Sequence, residues 1–524
     1  MKITDIKNPN FLQTVSKEDL LKLLTDAENK IIDLREKVEH LQNQFALLRR
    51  QLYGRKSEKN TDEMPVLPGF EDIFDDAYES PEENLQAPQE EQKSTSVKEK
   101  KGAKVGRRPL PKTLPREQVI HDLPASEKVC GCGQSLCKIG EEKSEQLEII
   151  PATVKVIEHV RYKYSCRTCG EGVRTAPLPA QPIPKSMATA GLLSHVFVSK
   201  FDDHLPLYRQ TEIWERLGVD LPRSTLSNWV MKGGDLLAPV VELLKQEIVK
   251  SDYVRADETP VQVLNHPDRK ATDKSYMWVY MTGYSEQPSL VYEYQSSRHG
   301  QHADGFLQGF AGYLQTDAYK GYGCVTGKES VESVGCWAHA RRKFTDVVKM
   351  AGTHGKAAEA VGIIKKLYEI ERIGKEKQLV PEKMKQWRAG KAKPILDQFK
   401  PWLEDLLPKV PPKNPLSKAI RYALKQWPQL TRYLEDGRLD IDNNACERAI
   451  RPFTVGRKNW LFMGNVKGAK AAATLYSLIE TAKANDLNPY EYLRYVLQKI
   501  PTTPAEGLAK LLPWACKKHL KSTL

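Results

Sequence analysis

Three acidic residues in separated parts of the chain have the side chains and local settings that a divalent-metal site requires. Asp257 and Asp317 each follow an apolar run, which predicts two strands that end in a carboxylate. Before Glu447, either Asp442 or Asn443 can cap a helix and place the glutamate in its first turns. Three converging carboxylates can hold two Mg²⁺ or Mn²⁺ ions, which clamp the attacking and leaving oxygens of a phosphodiester.

Each acid also has a simpler interpretation. An aspartate at a strand end often caps a turn, and Glu447 could pair with Arg451 one helical turn further on. The order of the surrounding elements favours the metal site. Three apolar runs follow Asp257, the strand that ends in Asp317 comes next, and a last predicted strand precedes a helical stretch. The runs are Val261–Leu264, Tyr276–Met281 and Leu290–Tyr294, and the last strand is Val331–Trp337.

A mostly helical stretch, Lys343–Asp436, separates that last strand from the helix that carries the glutamate. Successive strands, a strand with an aspartate, and then an acidic helix are the order of a ribonuclease-H-like core. The sequence therefore predicts a multidomain α/β protein with a ribonuclease-H-like catalytic core and a helical insertion.

Four cysteines in two close pairs have the spacing of a structural zinc site. Cys130 and Cys132 precede a strand-like run from Val154 to Tyr164, and Cys166 and Cys169 follow it beside a glycine. Turns joined through a β segment can aim four thiolates at one ion in tetrahedral geometry. Cys137 or His159 could replace one of the four ligands.

The segment before the cysteines has three successive parts: a heptad pattern, an acidic stretch and a basic stretch. Apolar residues from Leu20 to Leu52 alternate in spacings of three and four, which predicts a coiled coil and hence a homo-oligomer, although a helix packed on its own domain has the same pattern. Asp62–Gln92 lacks Lys and Arg, and Lys93–Arg116 is basic. These opposite charge blocks indicate a disordered linker. Its basic half, with Arg107 and Arg108, can lie on DNA phosphates, its acidic half can shield the basic half until DNA arrives, or the charges can simply keep the linker solvated.

Two predicted helices after the cysteines have helix-turn-helix spacing. Leu207–Leu217 reads as a helix, Gly218 as its end, and Ser224–Trp229 as the start of a second helix. Ordinary helical hairpins share this pattern. Basic side chains near this unit and near the acids are candidate contacts to DNA phosphates, or else parts of a solvated face: Arg223, Arg341, Arg342, Arg448, Arg451, Arg457 and Lys458. Trp460 and Phe462 could stack on an unpaired base or anchor their loop.

Composition limits the class of protein. The 524 residues carry 80 Lys and Arg against 67 Asp and Glu, a net charge of +13 that favours a polyanionic partner. The 40% apolar fraction excludes a wholly disordered chain. Because the chain has no apolar stretch that predicts a signal peptide or a membrane span, we expect a cytoplasmic protein that does not bind membranes.

Several of these segments together resemble the large transposase subunit of the insertion sequence 66 family of bacterial elements, over nearly the whole length. The segments are Leu52-Tyr-Gly-Arg-Lys-Ser-Glu-Lys59, the two cysteine pairs, Ala256-Asp257-Glu-Thr-Pro260, Thr316-Asp317-Ala-Tyr-Lys-Gly321, Cys336-Trp-Ala-His-Ala-Arg-Arg-Lys-Phe344, Asp442-Asn-Asn444 with Glu447-Arg448, and Ser477-Leu-Ile-Glu-Thr-Ala-Lys-Ala-Asn485. The resemblance implies a DDE catalytic triad of Asp257, Asp317 and Glu447, a zipper, a zinc-binding domain and a C-terminal helical segment. It also implies two kinds of partner. One is double-stranded DNA, at both the element ends and the target, and the other is accessory proteins of the same element.

The resulting expectation is a DNA transposase with eight segments. They are a coiled coil (16–59), a linker (60–116), a zinc-binding domain (117–180), a helical DNA-binding region (181–250), a first core segment (251–342), a helical insertion (343–436), a second core segment with the glutamate helix (437–480) and a C-terminal helical segment (481–524).

Three other functions compete with transposition. A non-catalytic DNA-binding regulator would need only the zinc, helical and zipper modules. A structure-selective nuclease would use the same core without strand transfer. A tyrosine recombinase reading of His339-Ala-Arg-Arg342 leaves the three carboxylates unexplained.

Overall fold

The computed structural model describes residues 154–164, 174–175, 177–351 and 355–521, together with the single residues 25 and 30. Apart from residues 25 and 30, the predicted coiled coil lies outside these residues, as do the predicted linker with Arg107 and Arg108 and the cysteines Cys130, Cys132, Cys166 and Cys169. Among the described helices, none combines the length and apolar character needed to cross a membrane.

The strand predicted between the cysteine pairs is shorter than expected. Strand β1 (Lys163–Tyr164) pairs antiparallel with β2 (Arg174–Thr175), and residues 154–162 are exposed without regular structure. The prediction of a strand from Val154 is therefore wrong for most of its length. A strand forms only where a neighbour accepts its hydrogen bonds, and β2 supplies two residues.

Three helices precede the main sheet: α1 (Ala190–Phe201), α2 (Leu207–Arg216) and α3 (Arg223–Lys250). Helix α2 ends where Gly218 takes a φ of +78°, a value that glycine adopts without strain. The second helix of the predicted helix-turn-helix is 28 residues long. Its C-terminal half buries Leu237, Leu244 and Ile248 in the main core.

The main sheet has three antiparallel strands followed by two parallel ones. β3 (Tyr253–Asn265) pairs with β4 (Lys274–Thr282), and β4 pairs with β5 (Leu290–Gln295). On the other side of β3 lies β6 (Gly312–Gln315), and β7 (Val331–Val334) follows it, which gives the order β5-β4-β3-β6-β7. The short helices α4 (Gln301–Phe306) and α5 (Gly323–Thr326) lie in the crossovers, with a 3₁₀ turn at Lys320–Tyr322.

Three strand boundaries differ from the prediction. β6 ends at Gln315, two residues before Asp317, so the expected strand end at Asp317 is wrong. Asp257 lies inside β3 because β4 pairs with it continuously from Val254 to Gln262, so the expected strand end at Asp257 is wrong. β7 ends at Val334 because its partner β6 ends at Gln315, and the predicted strand to Trp337 is therefore too long.

A run of helices follows β7. It comprises α6 (Trp337–Ala351), α7 (Lys356–Glu376), α8 (Pro381–Lys391), α9 (Lys393–Leu406), α10 (Pro415–Lys425) and α11 (Trp427–Thr431), with 3₁₀ turns at Leu407–Lys409 and Arg432–Leu434. The first helix begins six residues before Lys343, the predicted start of the helical stretch.

The chain then returns to the sheet. α12 (Asn444–Trp460) carries Glu447, β8 (Met463–Asn465) pairs parallel with the end of β3, and α13 (Val466–Ala484) covers β5. Tyr292 donates its backbone N–H to Ser477 Oγ at 2.8 Å, and Leu290 donates to Thr481 Oγ1 at 3.0 Å. These hydroxyls satisfy the free edge of β5, which would otherwise pair with another chain.

The last elements pack beside α1. They are α14 (Pro489–Lys499), 3₁₀ turns at Ile500–Thr502 and Ala505–Leu511, and α15 (Pro513–Lys521).

Candidate active site

The register between β3 and β6 places the two aspartates side by side. The parallel ladder joins Arg255 to Gln315 as its last pair, and Asp257 and Asp317 each lie two residues further along their chains. Beyond that pair β3 has β4 as its neighbour on one side, and on the other side β8 begins only at Val263. The structure therefore leaves a gap in the sheet beside Asp257, where polar side chains can meet.

Glu447 reaches the same gap because Asn443 fixes the start of its helix. Asn443 Nδ2 donates to the Ala256 carbonyl at 3.0 Å, and the Asn443 N–H donates to Cys336 Sγ at 3.2 Å. The N-cap of α12 is Asn443, whose side chain makes no bond to the first turn, and Asp442 just before it accepts the N–H of Asn444 through Oδ1 at 3.1 Å. Glu447 then lies in the first turn of α12.

The three acids influence one another electrostatically. The pKa of Asp257 is raised to about 8, chiefly by burial and then by the negative charges of Glu258, Asp317 and Glu447, against one stabilising N–H from Glu258. A cation bound among the three carboxyl groups would offset their negative charge. Asp257, Asp317 and Glu447 thus have the chemistry of a divalent-cation site.

Helix α6 contributes the groups nearest Glu447. His339 Nδ1 lies 3.7 Å from Glu447 Oε1, and Arg342 Nη2 lies 3.6 Å from Glu447 Oε2. The Sγ of Cys336 and ligand atoms of His339 and Glu447 lie within 4.8 Å of one another. Glu447 Oε1 and His339 Nδ1 are both buried and have no hydrogen-bond partner among the described residues, which fits a cation between these side chains.

A buried ionic cluster beside Asp257 was not assigned from sequence. Glu258 has a fully buried side chain, accepts Arg298 Nε at 2.7 Å and accepts the Tyr322 hydroxyl at 2.6 Å. The Arg298 guanidinium lies 3.8 Å from the ring centre of Tyr319, two residues after Asp317. This cluster fixes the loop that follows Asp317. Its only sequence signal is the acidic neighbour of Asp257, since Arg298 lies 40 residues away.

A second ion pair supports the other end of the site. Arg255, buried in β3, bonds to Asp440 and donates through Nε to the Tyr253 hydroxyl at 3.1 Å. Lys375 of α7 approaches the same Asp440 at 2.9 Å. The segment that leads into the glutamate helix is therefore tied both to the sheet and to the helical stretch.

The predicted DNA-contacting residues fall into two groups. Arg223, Arg342, Arg448, Arg451 and Lys458 are exposed. By contrast, the Arg341 guanidinium lies 4.6 Å from the ring centre of Tyr368, and Arg457 donates to Thr259 Oγ1 at 2.9 Å and to the Pro260 carbonyl. Arg457 therefore anchors α12 on β3.

Of the two aromatic residues near the end of α12, one packs against the protein and the other is exposed. Trp460 packs edge-on against the buried Phe453, with ring centres 5.4 Å apart. Phe462 is 46% exposed, and it follows Leu461, which is 64% exposed and has a φ of +63°. Trp460 therefore anchors its loop, whereas Phe462 is exposed to solvent.

Comparison with known families gives matches along most of the chain. The family described as Transposase IS66 family matches residues 185–471, more than half of the 524 residues. Residues 477–514 match the IS66 C-terminal element, and residues 127–170 match the zinc-finger binding domain of transposase IS66. Residues 40–119 match a family described as Transposase C of IS166 homeodomain. The matched core contains all three acids of the site.

Full-length relatives occur in Sinorhizobium fredii. The uncharacterized protein y4jD is 35% identical over 93% of this chain and 95% of its own length, and y4hP is 33% identical over 91% and 88%. These matches, on a fold that has a mixed main sheet and many helices, define a transposase-type protein. The chain belongs to the IS66 transposase family.

Proposed function

We propose that this chain is a DDE transposase that binds the ends of its insertion sequence, cleaves them and transfers the freed strand to target DNA. The observation that carries the proposal is that Asp257 and Asp317 each lie two residues beyond the last β3–β6 pair, while the Asn443–Ala256 hydrogen bond holds the helix of Glu447 against β3. The strand order β5-β4-β3-β6-β7, followed by an acidic helix, supports a ribonuclease-H-like core.

Asp257, Asp317 and Glu447 would hold two divalent ions, Mg²⁺ or Mn²⁺. When bound, the ions would polarise the scissile phosphodiester and stabilise the charge on its attacking and leaving oxygens. The acids contribute by position: Asp257 lies within β3, Asp317 lies two residues after the adjacent strand β6, and Glu447 lies on a helix that is fixed to β3. Rigid elements hold catalytic groups more accurately than loops do.

Basic side chains around the acids would hold the DNA. Arg342 lies beside Glu447, and Arg448, Arg451 and Lys458 extend from the same helix as the glutamate into solvent. Such residues neutralise phosphates without reading sequence. The matched zinc-finger domain, with Cys130, Cys132, Cys166 and Cys169 on a structural Zn²⁺, would supply recognition of the ends.

The remaining partners follow from the family and the sequence. We propose that the heptad segment joins copies of the chain and that accessory proteins of the element take part. The domain limits given above belong to this proposal.

The test uses the purified full-length chain and labelled duplexes that carry the element ends. We expect Mg²⁺- or Mn²⁺-dependent cleavage and joining by the wild type, and loss of both with intact DNA binding in Asp257→Asn and Glu447→Gln. Asp268→Asn, an exposed acid in the β3–β4 connection, is the matched control and should retain activity. Cleavage without joining would indicate a nuclease, and full activity of either triad variant would contradict the proposal.

A further inference from the structure

The starts of helices α6 and α12 are fastened to each other. Asn443 donates its N–H to Cys336 Sγ at 3.2 Å, and Trp337 donates its N–H to the Ile441 carbonyl at 3.1 Å. Residues three or four positions apart lie on the same face of a helix. One turn beyond this junction, His339 on α6 and Glu447 on α12 must therefore face each other.

The contact between these two side chains is incomplete. Their nearest atoms, Nδ1 of His339 and Oε1 of Glu447, are 3.7 Å apart, which is too long for a hydrogen bond. Both atoms are buried and unpaired within the described part of the chain, an arrangement that costs stability unless another group binds there.

The spacing suits an ion between them. Donor atoms that share one divalent ion at about 2.1 Å each lie at most about 4.2 Å apart. A hydroxyl, amide or water bridge would satisfy both atoms as well, but the carboxylate of Glu447 attracts a cation, and Asp257 and Asp317 lie near enough to Glu447 or His339 to add carboxyl oxygens to the same ion. A cation is therefore favoured over a neutral bridge.

We propose that His339 is a protein ligand of the catalytic divalent ion that Glu447 also holds. The inference rests on the proposed function, because it adds a nitrogen ligand to the same site. Cys336 lies in this cluster, but its sulfur accepts the Asn443 N–H and positions the two helices. Imidazole suits transition ions, whereas Mg²⁺ prefers oxygen ligands, so His339 would raise the affinity for Mn²⁺ more than for Mg²⁺.

Pulsed electron paramagnetic resonance of the full-length chain loaded with Mn²⁺ tests the assignment without relying on activity. A coordinated imidazole couples its ¹⁴N nucleus to the electron spin of Mn²⁺. We expect this coupling in the wild type and its loss in His339→Asn, which keeps an oxygen donor of similar size. His302→Asn, which changes another half-buried histidine, serves as the matched control and should retain the coupling.

Binding measurements give the second readout. The Kd for Mn²⁺ should rise about tenfold or more in His339→Asn, because loss of even an outer partner of a metal site has effects of that size. The Kd for Mg²⁺ should rise by a smaller factor. Absence of ¹⁴N coupling in Mn²⁺-loaded wild type, or its persistence in His339→Asn, would overturn the assignment.

A further variant separates this inference from the proposed function. Asp257→Asn should weaken Mn²⁺ binding whether or not His339 is a ligand. If Asp257→Asn weakens binding but the wild type shows no ¹⁴N coupling, the inference fails and the carboxylate site stands. If the wild type binds no Mn²⁺, or Asp257→Asn binds it unchanged, the proposed function and the inference fail together.

Discussion

Arg388 provides the most demanding test of how the helical stretch supports the site. Its guanidinium is 1% exposed, and its five N–H donors are all used. Two go to Glu371 at 2.7 and 2.8 Å, and three go to the carbonyls of Tyr433, Asp436 and Leu439 at 2.7 to 3.0 Å. Arg388 thus joins α7 and α8 to the segment that leads into the glutamate helix.

We expect Arg388→Met to destabilise this region strongly. The substitution leaves Glu371 as a buried charge without its partner, which costs about 3–5 kcal/mol. Because about 1.4 kcal/mol corresponds to a factor of ten, amide exchange through local opening should accelerate by about two to four orders of magnitude. Hydrogen exchange followed by mass spectrometry, on peptides from α7, α8 and residues 433–439, measures the effect.

Two further variants make this test specific. Arg372→Gln removes exposed ion pairs with Glu369 and Glu376 on the same helix α7, and exchange should not change measurably. Arg388→Met combined with Glu371→Leu removes both charges and should recover much of the lost protection. An acceleration below tenfold in Arg388→Met alone would refute the claim that this pair holds the segment.

Three other predictions concern packing, zinc and DNA. Gly234→Ala should destabilise the core by about 1–3 kcal/mol in thermal unfolding, because the added Cβ would lie 2.6 Å from the Cα of Ala471. The control Gly362→Ala has open space around it in α7 and should stabilise the protein by about 0.5–1 kcal/mol. Unchanged stability of Gly234→Ala would contradict the close contact of α3 and α13. Cys166→Ser should lower bound zinc in elemental analysis and weaken end binding, and the exposed Cys324→Ser should not; unchanged zinc would remove Cys166 from the ligand set. Arg451→Gln should reduce the slope of log affinity against log salt by about 0.9, and Lys425→Gln on α10 should leave it unchanged; an unchanged slope for Arg451→Gln would exclude a phosphate contact.

The acids were the part of the site that local pattern could reveal. Asp317 lies two residues after a short strand and Glu447 lies in a first helical turn, close to where strand and capping rules place them. Asp257 was found through the same rule, yet it lies within a longer strand. The strand continues past Asp257 because β4 pairs with the whole segment. This pairing is a tertiary contact, and the local sequence from Asp257 to Pro260 does not predict it.

The supporting shell could not be predicted in the same way. The contacts of Asn443 with Ala256 and Cys336 join residues 187 and 107 positions apart, and the Arg255–Asp440 pair spans 185. No local period relates such residues. The sequence indicated His339 only as part of a basic motif. Its position opposite Glu447 follows from the junction between two helices that are distant in sequence.

Mobilisation of a marked element in cells, with its accessory genes supplied, tests the central claim most directly. The wild-type chain is compared with Asp317→Asn, and protein levels are matched. We predict that movement is lost in Asp317→Asn, because one of the three acids at the gap beside β3 is then neutral and cannot hold the cation. Unchanged movement at equal protein level would mean that Asp317 is structural or that this chain is not the catalyst.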